Sequence, residues 1–140
     1  MTPDLIFTLS FLLALVGWLA LAFAPLAPAR LAPVGGIFVP ALLALAYAVT
    51  AAVYFPGAPG GLDSLANALV FFTLPGTVLA GWIHYLAFDL FVGGWILRDG
   101  RRRGVPHWAI LPALLLTCLL GPVGFLLHLA LRRAIGHAPG

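Results

Sequence analysis

Four long apolar stretches, almost free of charge, constrain this chain more than any other feature. They lie at about residues 5–24, 36–55, 77–97 and 108–131. Each approaches or exceeds the roughly 20 apolar residues that a helix needs to cross a bilayer. Only 8% of the 140 residues are charged, whereas soluble domains carry roughly 25%. The sequence therefore predicts an integral membrane protein and excludes both a soluble domain and a disordered chain.

The predicted architecture is a single all-α membrane domain over residues 1–140, a bundle of four transmembrane helices. Between spans two and three, residues 62–74 are apolar but too short to cross, and Pro75-Gly76 separates them from the third span. We interpret this segment as a short interfacial or re-entrant half-helix. Asp63 is expected near its N-terminal end, where an acid favours the helix dipole.

The arginines predict the orientation. With four spans, Arg30 and Arg98–Arg103 fall in the first and third loops, whereas Arg132 and Arg133 follow the last span on the other side. Five arginines against two favour a cytoplasmic location for those two loops, in a multi-pass protein of the cell inner membrane. Arg101–Arg103 is interpreted as a juxtamembrane orientation signal that contacts lipid headgroups, so no nucleic-acid partner is predicted despite the pI of about 9.8.

Ionisable residues inside spans are the strongest functional signals, because each costs roughly 2.5–3.5 kcal/mol at the bilayer centre. Three residues qualify and are the candidate catalytic groups: His84, Asp89 and His128. If spans three and four are antiparallel neighbours, the two histidines fall in the same leaflet at similar depth. His107 and His137 are interpreted as interfacial.

Helical periodicity adds neighbours that could line a substrate-binding cavity. Span three offers aromatic residues on two stripes, and span four offers a stripe of small and hydroxyl residues that ends at His128. Pro122 should also kink span four, because it leaves the carbonyl of Cys118 without its usual donor. The candidate substrate-binding residues are Trp82, Tyr85, Phe88, Phe91, Trp95, Thr117, Gly121 and Gly124.

No established metal or cofactor motif is present. Ligand pairs at i, i+3 or i, i+4 on one helix are absent, so no metal site is predicted and any cofactor stays unknown. Cys118 lies in an apolar run, where a thiol is normally inert. The glycines Gly93-Gly94 suit either packing within the chain or a homodimer, and the pattern does not choose between them.

Residues 82–100, reading WIHYLAFDLFVGGWILRDG, resemble the signature of the abscisic-acid-deficient-4-like membrane family. His107, the stretch LTCLLGPVG at 116–124 and His128 extend the resemblance, and the chain looks like a bacterial-type member. The resemblance implies a four-helix membrane protein and shared polar positions at His84, Asp89, Asp99, His107 and His128. Plant members are linked to the isomerisation of violaxanthin, a carotenoid epoxide, to the allene neoxanthin.

Three functions remain open from the sequence. The leading one is a membrane-embedded isomerase-like enzyme, or a binder, of an apolar carotenoid or other isoprenoid lipid, with His84, Asp89 and His128 as acid–base groups. The second is a non-catalytic membrane protein that binds a pigment, a lipid or a partner subunit. The third is a metal-dependent membrane lipid hydrolase that uses the two histidines and an aspartate.

Overall fold

A computed structural model describes residues 2–136, and this part of the chain is entirely helical apart from its turns and loops. Three of the helices are long and apolar enough to cross a membrane, one of them formed by α2, a π-helical turn and α3 in continuous succession over Pro28–Tyr54. The elements are α1 (Pro3–Ala22), a 3-10 turn (Ala24–Leu26), α2 (Pro28–Pro33), the π-helical turn (Val34–Phe38), α3 (Val39–Tyr54), α4 (Leu65–Phe71), α5 (Pro75–Arg102), α6 (His107–Leu120) and α7 (Pro122–Ala134).

Proline and capping residues set the helix starts. Pro3, Pro28, Pro75 and Pro122 each stand in the first turn of a helix, where the missing N–H costs nothing and the fixed φ suits helix. Ser64 caps α4 by accepting a hydrogen bond of 3.2 Å from the Asn67 amide. Local sequence chemistry therefore accounts for most of the helix starts.

Helix α5 lies at the centre of the molecule and packs against α1, α3 and α6. Half of the residues in its most apolar 18-residue stretch are buried inside the protein. In the corresponding stretch of each of the other two long helices, only 28% are buried. Glycines allow the close packing: Gly94 lies directly against Gly36, and a Cβ on Gly93 would stand 2.6 Å from the Trp18 ring. The Gly93-Gly94 pair therefore serves packing within the chain.

The predicted fourth span, residues 108–131, is not one helix. α6 ends at Leu120, Gly121 adopts φ +41°, and α7 begins at Pro122. Gly124 lies against the backbone of Ala113, eleven residues earlier, although a straight helix would separate the two by roughly 16 Å. α6 and α7 therefore form a helical hairpin, and the expected kink is a complete reversal of direction.

The hairpin changes where the charges lie. His107, which begins α6, has Nε2 2.8 Å from the carbonyl oxygen of Ala22 at the end of α1. Arg132, near the end of α7, has Nη1 3.4 Å from Asp99 Oδ2 near the end of α5. All seven arginines thus lie at one end of the bundle, which we call the arginine end, instead of dividing five against two as four crossing helices would require.

The opposite end carries α4, a seven-residue helix where the half-helix was expected. Asp63 precedes its cap, and Asn67 Nδ2 donates to both carboxylate oxygens of Asp63 at 3.0 Å. This hydrogen bond is the main reason that the pKa of Asp63 is lowered below its usual value. The predicted position of Asp63 at the start of a short helix is confirmed.

Candidate functional site

Asp89 lies at the middle of α5, roughly 20 Å from either end of the helix at 1.5 Å per residue. Its carboxyl group faces the turn of the hairpin, where a Cβ on Gly121 would stand 2.8 Å from Oδ1 and 3.1 Å from Oδ2. Oδ2 is buried and accepts no hydrogen bond from residues 2–136. A carboxyl group with an unpartnered oxygen at this depth is the most unusual polar feature of the described chain.

Tyr85, one turn earlier on α5, lies on the same face of the helix as Asp89 and also contacts the hairpin. Its hydroxyl donates a hydrogen bond of 2.9 Å to the carbonyl oxygen of Cys118. Pro122 has no N–H to offer this carbonyl, as the sequence predicted, and the phenol of α5 takes the place of that donor. Tyr85 therefore attaches the last turn of α6 to the centre of α5.

Trp82 continues this face toward the end of the bundle opposite the arginines. Its indole ring stacks on Phe7 of α1 at 4.7 Å and on Tyr85 at 5.6 Å between ring centroids. Its Nε1–H is buried and finds no acceptor in the described residues. Trp82, Tyr85 and Asp89, spaced i, i+3 and i+7, thus form one line of polar atoms that we call the Asp89 stripe.

His84 lies on a different face of α5. Its side chain is exposed on the helix surface, its ring stacks on Phe88 at 4.7 Å, and Tyr47 of α3 meets it edge-on at 5.3 Å. Phe88 and Phe91 are also exposed there. The structure thus places the first two candidate catalytic residues on separate faces, with His84 among aromatic rings and Asp89 against the hairpin.

His128 is fully buried near the arginine end. Its Nε2 lies 2.9 Å from Asp99 Oδ2, and the ring meets Trp95 edge-on at 5.5 Å. Asp99 also accepts hydrogen bonds from Arg103 Nε at 3.0 Å and Arg132 Nη1 at 3.4 Å. The guanidinium of Arg132 in turn lies 5.7 Å from the Trp95 ring centre. We call these five residues the Asp99 cluster.

The expectation that His84 and His128 share a leaflet is wrong. Asp99, which holds His128, stands fifteen residues beyond His84 on the same helix, or roughly 22 Å away along the axis. One straight span over residues 108–131 would place His128 at the end opposite the arginines, whereas the hairpin returns it to the arginine end. Consequently His84, Asp89 and His128 occupy three separate environments.

Asp99 is the site residue that spacing alone did not select. The family resemblance implies Asp99 as a shared polar position, but four crossing spans would place it in a loop with the arginines. One signal was available, because Arg132 stands four residues after His128 and shares its face of the helix. An arginine and a histidine on one face can both donate to the same carboxylate, so this spacing indicates an aspartate partner.

The small residues of the span-four stripe, Thr117, Gly121 and Gly124, serve the hairpin. Thr117 is fully buried and donates a hydrogen bond of 2.7 Å to the carbonyl of Ala113. Gly124 packs against Thr117, where a Cβ would collide with its backbone. Of the three predicted ligand contacts on this stripe, Gly121 alone faces an ionisable group.

Within residues 2–136, no three His, Cys or Asp side chains come together in an arrangement that could hold a metal ion. The chemical capacity of the Asp89 stripe is proton transfer and hydrogen bonding: a carboxyl group, a phenol and an indole N–H lie along one face of a helix. The Asp99 cluster, by contrast, has its charges paired with one another.

Comparison with curated proteins and with solved structures finds no match for this chain. A family model described as ABA DEFICIENT 4-like matches residues 5–128. The match covers most of the chain, including the Asp89 stripe, the turn of the hairpin and both partners of the His128–Asp99 pair. The chain therefore belongs to the ABA DEFICIENT 4-like family.

Proposed function

We propose that this protein isomerises an oxygen-bearing isoprenoid lipid of the carotenoid class inside the membrane, with Asp89 as the proton-carrying group. Membership of the ABA DEFICIENT 4-like family suggests a carotenoid-related membrane protein. The single observation that carries the proposal is the carboxyl group of Asp89, which has a buried oxygen without a partner at the middle of a spanning helix. Retaining such a group for packing alone is costly.

The chemistry requires one proton to be given and one to be taken. A protonated Asp89 donates its proton to the oxygen of an epoxide as the C–O bond breaks. The resulting carboxylate removes a proton from the neighbouring polyene carbon, whose electrons form the new double bond. The proton count of Asp89 is restored, the product is an isomer of the substrate, and no co-substrate is consumed.

The surroundings of Asp89 suit the polar end of a ligand. The Trp82 indole supplies a second buried polar atom without a partner, an N–H donor, on the same face. Hydrogen bonds from a hydroxyl or epoxide to these groups would compensate two atoms that residues 2–136 leave unpaired. His84 and His128 are proposed to act outside this reaction step, since His84 faces aromatic rings and His128 is held by Asp99.

Expression in a bacterial host that accumulates epoxy-carotenoids tests the proposal, with chromatography of the extracted pigments. Wild type should convert part of the pigment to an isomer of equal mass. Asp89→Asn should lower conversion at least a hundredfold, the range typical of losing a general acid–base group. Asp63→Asn is the matched control, because Asp63 is an exposed loop carboxylate.

Equal conversion by wild type and Asp89→Asn would contradict the role of Asp89. An unchanged pigment profile together with a coloured purified protein would contradict catalysis and favour the alternative of a non-catalytic pigment-binding protein. Immunoblots of the membrane fraction, which compare the amounts of both variants, keep a loss of activity distinct from a loss of protein.

For localisation, we propose that the arginine end faces the cytoplasm of a multi-pass inner-membrane protein. All seven arginines belong to this end, while Asp4 and Asp63 belong to the other. A difference of seven arginines to none is a stronger orientation signal than the five-to-two division of four spans. Both Arg30 and Arg98–Arg103 keep the cytoplasmic side that the sequence predicts, and Arg132 and Arg133 join them.

A further inference from the structure

A groove on the outer surface of the bundle, between α3 and α5, is separate from the Asp89 stripe. It holds a volume of about 630 Å³, within the range of small-molecule sites. Small side chains of α3, namely Pro40, Ala41 and Ala44, form one wall, and the rings of Phe88 and Phe91 form the other. We call this feature the α3–α5 groove.

Arg98 closes the α3–α5 groove at the arginine end. Its Nη1 stands 3.2 Å from the position of a Cβ on Gly94, one turn earlier on the same helix. The guanidinium is therefore directed back along α5, as helical side chains are, and lies deeper than its own Cα. A membrane arginine normally extends toward water instead.

Two glycines and a proline hold the guanidinium there. Gly36 and Gly94 leave the space that it occupies, since a Cβ on Gly36 would stand 2.8 Å from Nη1. Pro40 has no N–H for the carbonyl of Gly36, and Arg98 Nη1 donates to that carbonyl at 3.3 Å. The other N–H groups of Arg98 find no carboxylate among residues 2–136, where every ion pair involves Asp99.

From these contacts we infer that the α3–α5 groove binds one acyl chain of an anionic phospholipid, with the phosphate on Arg98. From Gly94, at the level of the guanidinium, to Ala87 the groove runs roughly 10 Å along α5, which accommodates part of an acyl chain within one leaflet. A phosphate compensates the unpaired guanidinium through charge-assisted hydrogen bonds. A neutral isoprenoid offers no such charge to Arg98.

Native mass spectrometry of the full chain in detergent tests this inference, with phosphatidylglycerol and phosphatidylcholine of identical acyl chains as probes. Wild type should bind one phosphatidylglycerol at least tenfold more tightly than phosphatidylcholine. Arg98→Gln should remove most of that preference. Arg133→Gln, at an exposed arginine of the same end, should leave it largely intact because it changes only the general attraction to anionic lipid.

Filling the groove provides a second, independent variant. Ala44→Phe should weaken binding of both lipids at least fivefold, whereas Ala52→Phe, an exposed alanine two turns further along α3, should not. Thermal unfolding followed by tryptophan fluorescence checks that each variant is folded. If Ala44→Phe destabilises the chain, the smaller change Ala44→Leu replaces it.

Any one of three binding results would overturn the inference: equal affinity for the two lipids, equal effects of Arg98→Gln and Arg133→Gln, or no effect of filling the groove. A change from dimer to monomer on Ala44→Phe would also overturn it, because a second copy of the chain would then cover the groove. None of these results bears on pigment conversion by Asp89, which is measured separately.

Discussion

The hydroxyl of Tyr85 donates a 2.9 Å hydrogen bond to the carbonyl oxygen of Cys118, thirty-three residues later. Arg98 makes an analogous contact with the carbonyl of Gly36. In both cases a proline four residues after the carbonyl cannot donate to it, and a polar side chain of α5 does so instead. Prolines thus create acceptors in the apolar interior, and α5 supplies donors that fix neighbouring helices in position.

Tyr85→Phe should destabilise the protein by about 1–3 kcal/mol, because it leaves the half-buried Cys118 carbonyl without a donor while keeping the aromatic ring. The measurement is the free energy of unfolding in lipid-like detergent. Tyr54→Phe is the matched control: the Tyr54 ring packs on Gly76, and its hydroxyl makes no hydrogen bond to the described residues. Equal losses for the two variants would count against the role assigned to the Tyr85 hydroxyl.

Gly121→Ala should destabilise the hairpin by more than the backbone strain alone. A residue with a Cβ pays roughly 1–2 kcal/mol in the left-handed region. The φ +41°, ψ −93° of Gly121 lies outside even that region, and here the new methyl would also meet the Asp89 carboxyl at 2.8 Å. Gly57→Ala measures the cost of a Cβ at positive φ without a steric contact, since Gly57 has φ +76° and open space around it. Comparison of the two melting temperatures measures the added cost, and a smaller loss for Gly121→Ala would contradict the observed turn.

The sequence was sufficient for the long helices because their signal is local. Twenty or more apolar residues between proline-rich turns specify a membrane helix whatever its neighbours do. Residues 108–131 met the same length criterion, but a hydropathy average has no information on direction. Whether Gly121-Pro122 kinks a helix or reverses it depends on φ at Gly121 and on the contact of Gly124 with Ala113.

The candidate site was predictable residue by residue but not in its pairing. The energetic cost of an ionisable group inside a span identified Asp89. Helical periodicity placed Tyr85, four residues earlier, on the same face of the helix. The pairing of His128 with Asp99 depends on the hairpin, so an incorrect topology excluded it. Similarly, the donor to the Cys118 carbonyl could not be identified, because several side chains of α5 were equally eligible before the depth of the hairpin was known.

His128→Ala should lower the free energy of unfolding by about 2 kcal/mol or more. The substitution leaves a cavity at a fully buried position and removes a hydrogen-bond partner of Asp99. A double-mutant cycle with Asp99→Asn measures the coupling between the two side chains, and we expect an interaction energy above about 1 kcal/mol. Additive effects of the two substitutions would show that the 2.9 Å contact contributes no stability of its own.

Chemical labelling of single cysteines separates the three-helix-plus-hairpin arrangement from four crossing helices. In a Cys118→Ser background, Arg102→Cys and Arg133→Cys should react with a membrane-impermeant maleimide from the same side of sealed vesicles. Asp63→Cys should react from the opposite side. Four crossing helices would instead place position 133 with position 63, because residues 108–131 would then traverse the bilayer once.

The same experiment tests the orientation. In vesicles with the cytoplasmic face outward, positions 102 and 133 should be labelled without detergent and position 63 only after solubilisation, because the arginine-rich end is retained in the cytoplasm. Labelling of all three positions after solubilisation is the control for reactivity. If positions 102 and 133 react from opposite sides, the hairpin does not return within the membrane and the charge distribution reverts to five against two.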